Sequence, residues 1–341
     1  MSFDPDAAAR PGAGVFGLPH SRDEARIVLV PVPFDATTSY GGGAGGGPEA
    51  IRAASAQVDL YDPHFGRIYE AGIHMLDSPV EIAELSKRAR QIAAPIIEKG
   101  GAEEGDADAV KAVDDAGARV NQHVYDETSR LLDARKVPGI VGGDHASPLG
   151  SIRACAERCA PEGGIGVLQI DAHMDLRESF EGFRWSHASI MDNALREAPG
   201  VVRIVQVGIR DFGEGELRAA QASEGRVDVH FDHEWHRRMD EGEPFASLCA
   251  EALSRLPELV YVSIDIDGLD PALCPHTGTP VPGGLGFNRA AAMLAALRHS
   301  GRRVVGFDLC EVSPGPIEGD EWDANVGARI LYKLCGAARP S

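Results

Sequence analysis

Histidine and aspartate residues are concentrated at three points of this chain, each following a short apolar run. Residues two apart on a strand point to the same face, so carboxylate and imidazole groups in such positions can converge on one point. Together they form the mixed oxygen and nitrogen set that Mn, Ni, Fe or Zn accepts, whereas all-oxygen Ca and Mg sites do not require histidine. The residues are Asp144 and His145, then Asp171, His173 and Asp175, then Asp265 and Asp267.

The number of carboxylates sharpens this prediction. Within a few ångströms of one another, Asp171, Asp175, Asp265 and Asp267 would repel each other and raise one another's pKa values unless cations lay between them. Two divalent ions would balance these four charges. The histidines of the first two groups would complete the ligand set.

Each group also has a simpler interpretation. An aspartate after a strand often caps the next helix, and a single histidine is more often a satisfied core residue than a ligand. We prefer the capping role for Asp144. For the DxHxD and DxD sets taken together, the metal site is the favoured interpretation.

The elements that must position these residues alternate along the chain. Runs rich in Val and Ile that stay apolar on both faces are typical of parallel strands covered by helices on each side. Such alternation predicts an α/β doubly wound domain, in which ligands bind at the carboxyl ends of the strands. The predicted strands are 27–34, 139–143, 165–171, 201–209, 227–231, 259–267 and 303–312, and the predicted helices are 48–57, 80–98, 107–135, 148–159, 215–223, 243–255 and 288–299.

Four segments resemble signature segments of the arginase, agmatinase and formiminoglutamase family, in order and in spacing. They are GGDHAS (142–147), DAHMD (171–175), SIDIDGLDP (263–271) and TGTPVPGGL (277–285). The resemblance runs from about Val28 to Tyr332. It implies a single three-layer α/β domain with a central, mainly parallel sheet, which we expect over residues 26–335.

The resemblance also implies a binuclear site that usually holds manganese, with nickel as the alternative. The ions would lower the pKa of a shared water that attacks the carbon of a small cationic guanidino substrate. The implied ligands are His145 and Asp175 for one ion, His173 and Asp267 for the other, and Asp171 and Asp265 shared by both.

Two further residues acquire roles from this resemblance. Glu311, in DLCEVSP, is similar to the glutamate that holds the guanidinium through paired hydrogen bonds. His187, in EGFRWSHASIM, is similar to the histidine that relays protons to the leaving amine. The alternatives are a structural carboxylate and a packing histidine. Family members usually form trimers or hexamers, so we expect a homo-oligomer.

The resemblance narrows the substrate but leaves alternatives. Arginases have an acidic residue for the substrate α-amino group where this chain has Gly213, while Glu216 keeps the other acidic position, so a true arginase is disfavoured. Segment 176–191 looks more like agmatinases, and segment 33–62 resembles a subgroup that includes guanidine hydrolases. The expected products are urea plus an amine or ammonia. A formiminoglutamase-type hydrolase and a non-catalytic subunit paired with an active paralogue are the alternatives.

Several side chains near these motifs bear on the pocket. Met174 replaces the usual Thr or Ala of DAHxD, and Ala146 replaces the Ser of GGDHS, which could alter pocket size or the hydrogen bonds around the ligands. Phe180, Phe183 and Trp185 either line a pocket or belong to the core.

Composition excludes some classes of protein. The 341 residues are 43% apolar with a formal net charge of −19, and no basic stripe indicates nucleic acid as a partner. The start of the chain lacks a signal-peptide pattern, no apolar run is long enough for a membrane span, and the six cysteines form no CxxC pair, so we expect a cytoplasmic protein. Residues 1–25, rich in Ala, Gly and Pro, are expected to form a flexible arm.

Two other motifs carry weaker hypotheses. The glycine-rich segment 41–47 contains a GxGxxG match, typical of dinucleotide binding, but six glycines in seven positions make such a match nearly unavoidable. We interpret it as a flexible loop at the mouth of the site. The segment His230–His236 has Arg237 where an HExxH zinc motif needs histidine, so we predict a polar loop there.

Overall fold

The computed structural model describes residues 3–9, 12–317 and 319–340. Eight strands form one sheet in which every pair of neighbours is parallel, and a separate two-stranded hairpin lies outside it. The strands are β1 (Ile27–Val32), β2 (Tyr61–Asp62), β3 (Gly66–Arg67), β4 (Ile73–Met75), β5 (Val137–Gly142), β6 (Ile165–Ile170), β7 (Val201–Ile209), β8 (Val227–Phe231), β9 (Leu259–Asp265) and β10 (Arg303–Cys310).

The order of the strands across the large sheet is β4-β1-β5-β10-β9-β6-β7-β8. Helices connect the parallel strands, as parallel pairing requires. They are α1 (Gly47–Ala54), α2 (Val80–Glu98), α3 (Ala107–Asp133), α4 (Leu149–Cys159), α5 (Ile190–Glu197), α6 (Glu214–Ala222), α7 (Asp232–Asp240), α8 (Phe245–Ser254), α9 (Phe287–His299) and α10 (Trp322–Ala338).

Alternate residues of a strand contribute to two apolar layers. In β1, Ile27 and Leu29 belong to one buried cluster, which includes residues of α1, α8, α9 and α10. Val28 and Val30 belong to another, which includes residues of α2 and α3. Because side chains alternate between faces, an all-apolar strand needs cover on both sides. The predicted single three-layer α/β domain with a central parallel sheet is confirmed.

The structure differs from the sequence-based expectation in several elements. Helix α2 has the predicted limits, and the strands that precede the site residues end one or two residues earlier than predicted. Six of these strands and helices were not predicted: β2, β3, β4, α5, α7 and α10. The predicted polar loop at His230–His236 is wrong. His230 lies within strand β8, which ends at Phe231, and helix α7 starts at Asp232, with Trp235 buried on its inner face.

The core extends into the segment that precedes β1. Val15, Phe16 and Leu18 are buried, and the rings of Phe16 and Tyr332 lie 4.8 Å apart. The sequence placed this segment within an arm at residues 1–25, because small and charged residues surround a single short apolar stretch. Within the described ranges, no helix combines the length and apolar character needed to cross a membrane.

Candidate functional site

The six predicted ligands and Glu311 lie at the carboxyl ends of four strands that are side by side in the middle of the sheet. These strands are β5, β10, β9 and β6, in that order. Neighbouring strands are about 4.8 Å apart, so their carboxyl ends bring side chains from distant parts of the chain within contact distance. His145 follows β5, Glu311 follows β10, Asp265 ends β9 with Asp267 in the next turn, and Asp171, His173 and Asp175 follow β6.

Two histidines and the shared Asp171 form two adjacent groups. His145 Nδ1 lies 3.0 Å from Asp171 Oδ2, 3.0 Å from Asp175 Oδ2 and 3.5 Å from Asp265 Oδ2. His173 Nδ1 lies 3.1 Å from Asp267 Oδ2 and 3.6 Å from Asp171 Oδ1. The two oxygens of Asp171 therefore face different histidines. The structure thus brings all six predicted ligands together, and each group could hold a metal ion.

The hydrogen bonds of His145 test whether a cation fits. Ser263 Oγ donates to Asp308 Oδ1 at 3.1 Å, so its oxygen accepts from His145 Nε2, 2.9 Å away. A neutral imidazole with its proton on Nε2 directs the Nδ1 lone pair at the carboxylates of Asp171 and Asp175. Within the described residues, this buried Nδ1 forms no hydrogen bond of acceptable geometry. A positive charge must therefore lie between Nδ1 and the two carboxylates, either a proton on Nδ1 or a metal ion, and the donor set fits a metal ion.

Without a cation, burial and the crowding of carboxylates raise the pKa values of two aspartates of the site. Burial and the neighbouring carboxylates of Asp267 and Asp171 raise the pKa of Asp265 well above its ordinary value. Burial and the charge of Asp171 raise the pKa of Asp175 to about 7. Protons on these carboxyls thus relieve the repulsion that two divalent ions would relieve instead.

Close backbone contacts explain two glycines of the motifs. A side chain on Gly143 would place its Cβ 2.0 Å from the carbonyl oxygen of Phe34. A side chain on Gly268 would place its Cβ 2.6 Å from the amide nitrogen of Asp171. Both distances are far shorter than a van der Waals contact, so these glycines let the ligand-bearing loops pack against one another.

Glu311 presents one carboxylate oxygen to which no described residue donates a hydrogen bond. Its Oε1 accepts a hydrogen bond from the amide of His145 at 2.9 Å, while Oε2 is buried with no partner among the described residues. The free Oε2 lies 3.6 Å from where a Cβ on Gly278 would stand, so the missing side chain leaves room beside it. Burial and nearby Asp144 raise the pKa of Glu311 well above its ordinary value.

The left-handed backbone of two site residues is also unusual. Asp175 and Glu311 have φ angles of 53° and 61°, which residues other than glycine seldom adopt. Such conformations cost on the order of 1–3 kcal/mol each and tend to occur at functional sites. Both residues direct a carboxylate at the site.

His187 lies at the open side of the ligand groups. It lines a cleft together with His173, Asp175 and Ser39, and its Nε2 is 3.5 Å from Ser39 Oγ. Burial of the ring, with smaller contributions from the neighbouring His173 and His145, lowers the pKa of His187 to about 3. The imidazole is therefore neutral near pH 7.

The three aromatic residues of segment 176–191 have different surroundings: one lines the cleft and two do not. The cleft has a volume of about 160 Å³, and Phe180 lines it, with its ring edge-on to His187 at 5.9 Å between centroids. Phe183 is fully buried in a cluster between α2 and α3. Trp185 packs against α3, where a Cβ on Gly117 would be 2.8 Å from its side chain. Phe180 therefore lines a pocket, whereas Phe183 and Trp185 pack against helices of the domain.

Asp144 does not cap helix α4, since Pro148 directly precedes that helix. Its carboxylate accepts hydrogen bonds from Thr37 Oγ1 and from the amide of Ala146, both at 3.2 Å. Burial and the charge of Asp35 raise the pKa of Asp144 to about 7. The capping prediction was wrong because Asp144 belongs to the loop before the helix.

Comparison with known proteins agrees with this geometry. The model of the family described as Arginase family matches residues 25–336, nearly the whole chain.

The chain belongs to the arginase family.

Relatives of this arginase-family chain share its length. The N(1)-aminopropylagmatine ureohydrolase of Thermus thermophilus is 32% identical over 92% of this chain and 90% of its own. The agmatinase of Pyrococcus horikoshii is 31% identical over 93% of both chains. Among solved structures, the proclavaminate amidino hydrolase of Streptomyces clavuligerus has a TM-score of 0.73 at 24% identity, over 98% of this chain and 99% of its own.

The site of this arginase-family chain contains residues that the sequence did not single out. Ser263 lies two residues before Asp265 on β9, so the period of a strand could have placed it on the same face. Asp308, Ser39 and Arg177 gave no such signal. The glycine-rich segment 41–47 approaches Glu311, since the amide of Gly41 donates to the carbonyl of Gly278, and a Cβ on Gly278 would be 3.6 Å from Glu311 Oε2.

Proposed function

We propose that this member of the arginase family hydrolyses a guanidino compound with two divalent metal ions. The observation that carries the proposal is the position of Asp171, whose two oxygens face two different histidines. His145 and Asp175 would hold one ion, His173 and Asp267 the other, with Asp171 and Asp265 shared between them. Manganese is the first choice and nickel the alternative, since carboxylate and imidazole suit both.

The bound ions would supply activation of a water molecule as the nucleophile at neutral pH. The protein then has to position an electrophile that is weak, because the charge of a guanidinium is spread over three nitrogens. Glu311 would do so, because its buried Oε2 lacks a partner among the described residues and a guanidinium offers paired N–H donors. A bound cation would also keep the carboxyl of Glu311 ionised.

His187 would move a proton to the leaving amine. Its neutral imidazole has a ring nitrogen able to accept a proton, and its place in the cleft puts it beside the two ligand groups. Ser39 Oγ, 3.5 Å from Nε2, would fix the orientation of the ring.

The substrate is proposed by class. The two relatives are named for N(1)-aminopropylagmatine and for agmatine, which supports a guanidino compound cleaved to urea and an amine. Free guanidine, cleaved to urea and ammonia, is the alternative. Arginine is disfavoured because Gly213 has no side chain with which to bind an α-amino group.

Urea release tests this proposal. Purified protein loaded with Mn²⁺ or Ni²⁺ should release urea from at least one of agmatine, arginine, guanidinobutyrate and guanidine, with formiminoglutamate included for ammonia or formamide release. Release from formiminoglutamate alone would indicate the formiminoglutamase-type alternative. Two bound ions with no turnover of any compound would favour the non-catalytic subunit that pairs with an active paralogue.

Assembly and location belong to the same proposal. A homo-oligomer of three or six chains in the cytoplasm is what we expect. Light scattering coupled to size-exclusion chromatography would measure the assembly.

A further inference from the structure

The cleft continues past the ligand groups along a wall that has charges of both signs. Arg177, Asp211 and Glu216 line it together with Phe180 and Phe212. A second depression shares two of these residues, Arg177 and Glu216, so both lie where the two spaces meet. Among the described residues that line either space, Arg177 is the one arginine or lysine.

Two contacts connect Arg177 to the reaction site through the ring of Phe180. Its guanidinium lies over the ring of Phe180, 4.8 Å from the centroid. Phe180 in turn contacts His187, with 5.9 Å between ring centroids. Arg177 is therefore one aromatic ring away from the residue proposed to serve the leaving amine, which is where the far end of a short substrate would lie.

Glu216 holds Arg177 and has little capacity left for a ligand. This buried carboxylate accepts hydrogen bonds from the amides of Gly213 at 2.8 Å and Leu176 at 3.2 Å, and its Oε2 lies 3.3 Å from Arg177 Nη2. A guanidinium has five N–H donors. The side chain of Arg177 is 40% exposed, so donors not facing Glu216 remain open to the cleft.

Beyond the ligand groups, Asp211 is the remaining carboxylate of the cleft, while Glu178 and Asp192 line the second depression and pair with Arg196. Asp211 is exposed, so water and salt screen its charge. An ammonium group at the far end of a substrate would lie beside the like charge of Arg177, whereas a carboxylate would gain charge-assisted hydrogen bonds from it.

We propose that Arg177 is a specificity-determining residue that binds a carboxylate at the end of the substrate opposite the guanidino group. The preferred substrates are then ω-guanidino carboxylic acids rather than guanidines that end in an amine. This inference rests on the proposed hydrolase function and narrows its substrate class.

Matched substrates and matched variants test the inference. The metal-loaded protein is assayed for urea release from 3-guanidinopropionate, 4-guanidinobutyrate, agmatine and free guanidine. The variants are Arg177→Gln, Arg177→Lys and, as the control, Arg218→Gln, which removes an arginine of α6 that pairs with exposed Glu214. Metal content is measured for each protein.

The wild type should have a kcat/KM at least tenfold higher for one of the acids than for agmatine. Arg177→Gln should raise KM for that acid about 10- to 100-fold, with kcat, metal content and turnover of guanidine little changed. Arg177→Lys should recover part of the loss, since it keeps the charge, and Arg218→Gln should behave as wild type.

Other results would overturn the inference. Preference for agmatine, an unchanged KM in Arg177→Gln, or an equal loss on all four compounds would each do so, the last because it indicates a merely structural arginine. In these cases turnover persists and the hydrolase function stands. Absence of urea from every compound would instead overturn the proposed function itself, and this inference with it.

Discussion

His145 Nε2 lies 2.9 Å from Ser263 Oγ, although 118 residues separate the two in the chain. Because Ser263 donates its own proton to Asp308, the imidazole is held with Nδ1 facing the carboxylates. In Ser263→Ala this orientation is lost, and we expect the affinity for one of two ions to fall about 10- to 100-fold. Competition with a chromogenic chelator measures the affinity for each ion. Ser254→Ala, on the exposed end of α8, is the control, and equal affinities in both variants would contradict the expectation.

Replacing the shared carboxylate should affect both ions. Asp171→Asn should reduce bound Mn²⁺ from two ions per chain to none or a trace, because each histidine group includes one oxygen of Asp171. Asp267→Asn should remove one ion, since Asp267 belongs to the His173 group. Elemental analysis after dialysis gives the count, with exposed Asp240→Asn as a charge-matched control. A wild-type protein that binds a single ion would sink the binuclear proposal.

Glu311→Gln should separate substrate binding from metal binding. Glutamine keeps an acceptor for the amide of His145 but has no charge to offer a guanidinium. Loss of a buried charged hydrogen bond is worth about 2–4 kcal/mol, so kcat/KM for urea release should fall roughly 30- to 1,000-fold. Metal content should stay at the wild-type value. Undiminished activity would assign Glu311 a structural role.

His187→Asn should lower kcat about 100-fold or more, with two ions still bound. The wild-type imidazole has a pKa of about 3 and stays neutral from pH 5 to 8. Any acidic limb of the rate profile in that range should therefore persist in the variant, at lower absolute rates. A profile that becomes flat would show that His187 itself titrates there.

The metal-free protein should lose stability as pH rises from 5 to 7. Asp175 has a pKa of about 7 in the folded chain against 3.8 unfolded, and the pKa values of Asp265 and Glu311 are also raised. The folded state thus keeps protons that the unfolded state gives up. The stability that these carboxyls contribute is fully present below their pKa in the unfolded chain. It is lost as the pH rises through their pKa in the folded chain. Of the site residues, His187, with its lowered pKa, opposes this trend below pH 6.5.

Each extra proton retained by the folded state lowers the free energy of unfolding by about 1.4 kcal/mol per pH unit. Urea unfolding at pH 5, 6 and 7 in the presence of a chelator would measure the slope. With saturating Mn²⁺ the fall should disappear or reverse, because the ions take the place of the protons. A metal-free protein that gains stability over this range would show that the carboxyls are already ionised.

Local patterns in the sequence predicted the candidate ligands and most of the framework. The apolar runs predicted the central strands, and their ends located the six proposed ligands, because a strand's side chains repeat every two residues and its carboxyl end is where loops meet. Helix α2 was predicted at its observed limits, 80–98, by its own apolar period. These features depend on residues near one another in the chain.

Tertiary structure alone decided which distant residues meet. Strand β10 lies between β5 and β9, which brings Asp308 to Ser263 and Glu311 to the amide of His145. The tertiary structure also places Phe180 in the cleft and Phe183, three residues later, in the core. Strand order and helix packing arise from the burial of whole apolar faces, a property of the assembled domain that no short window of sequence contains.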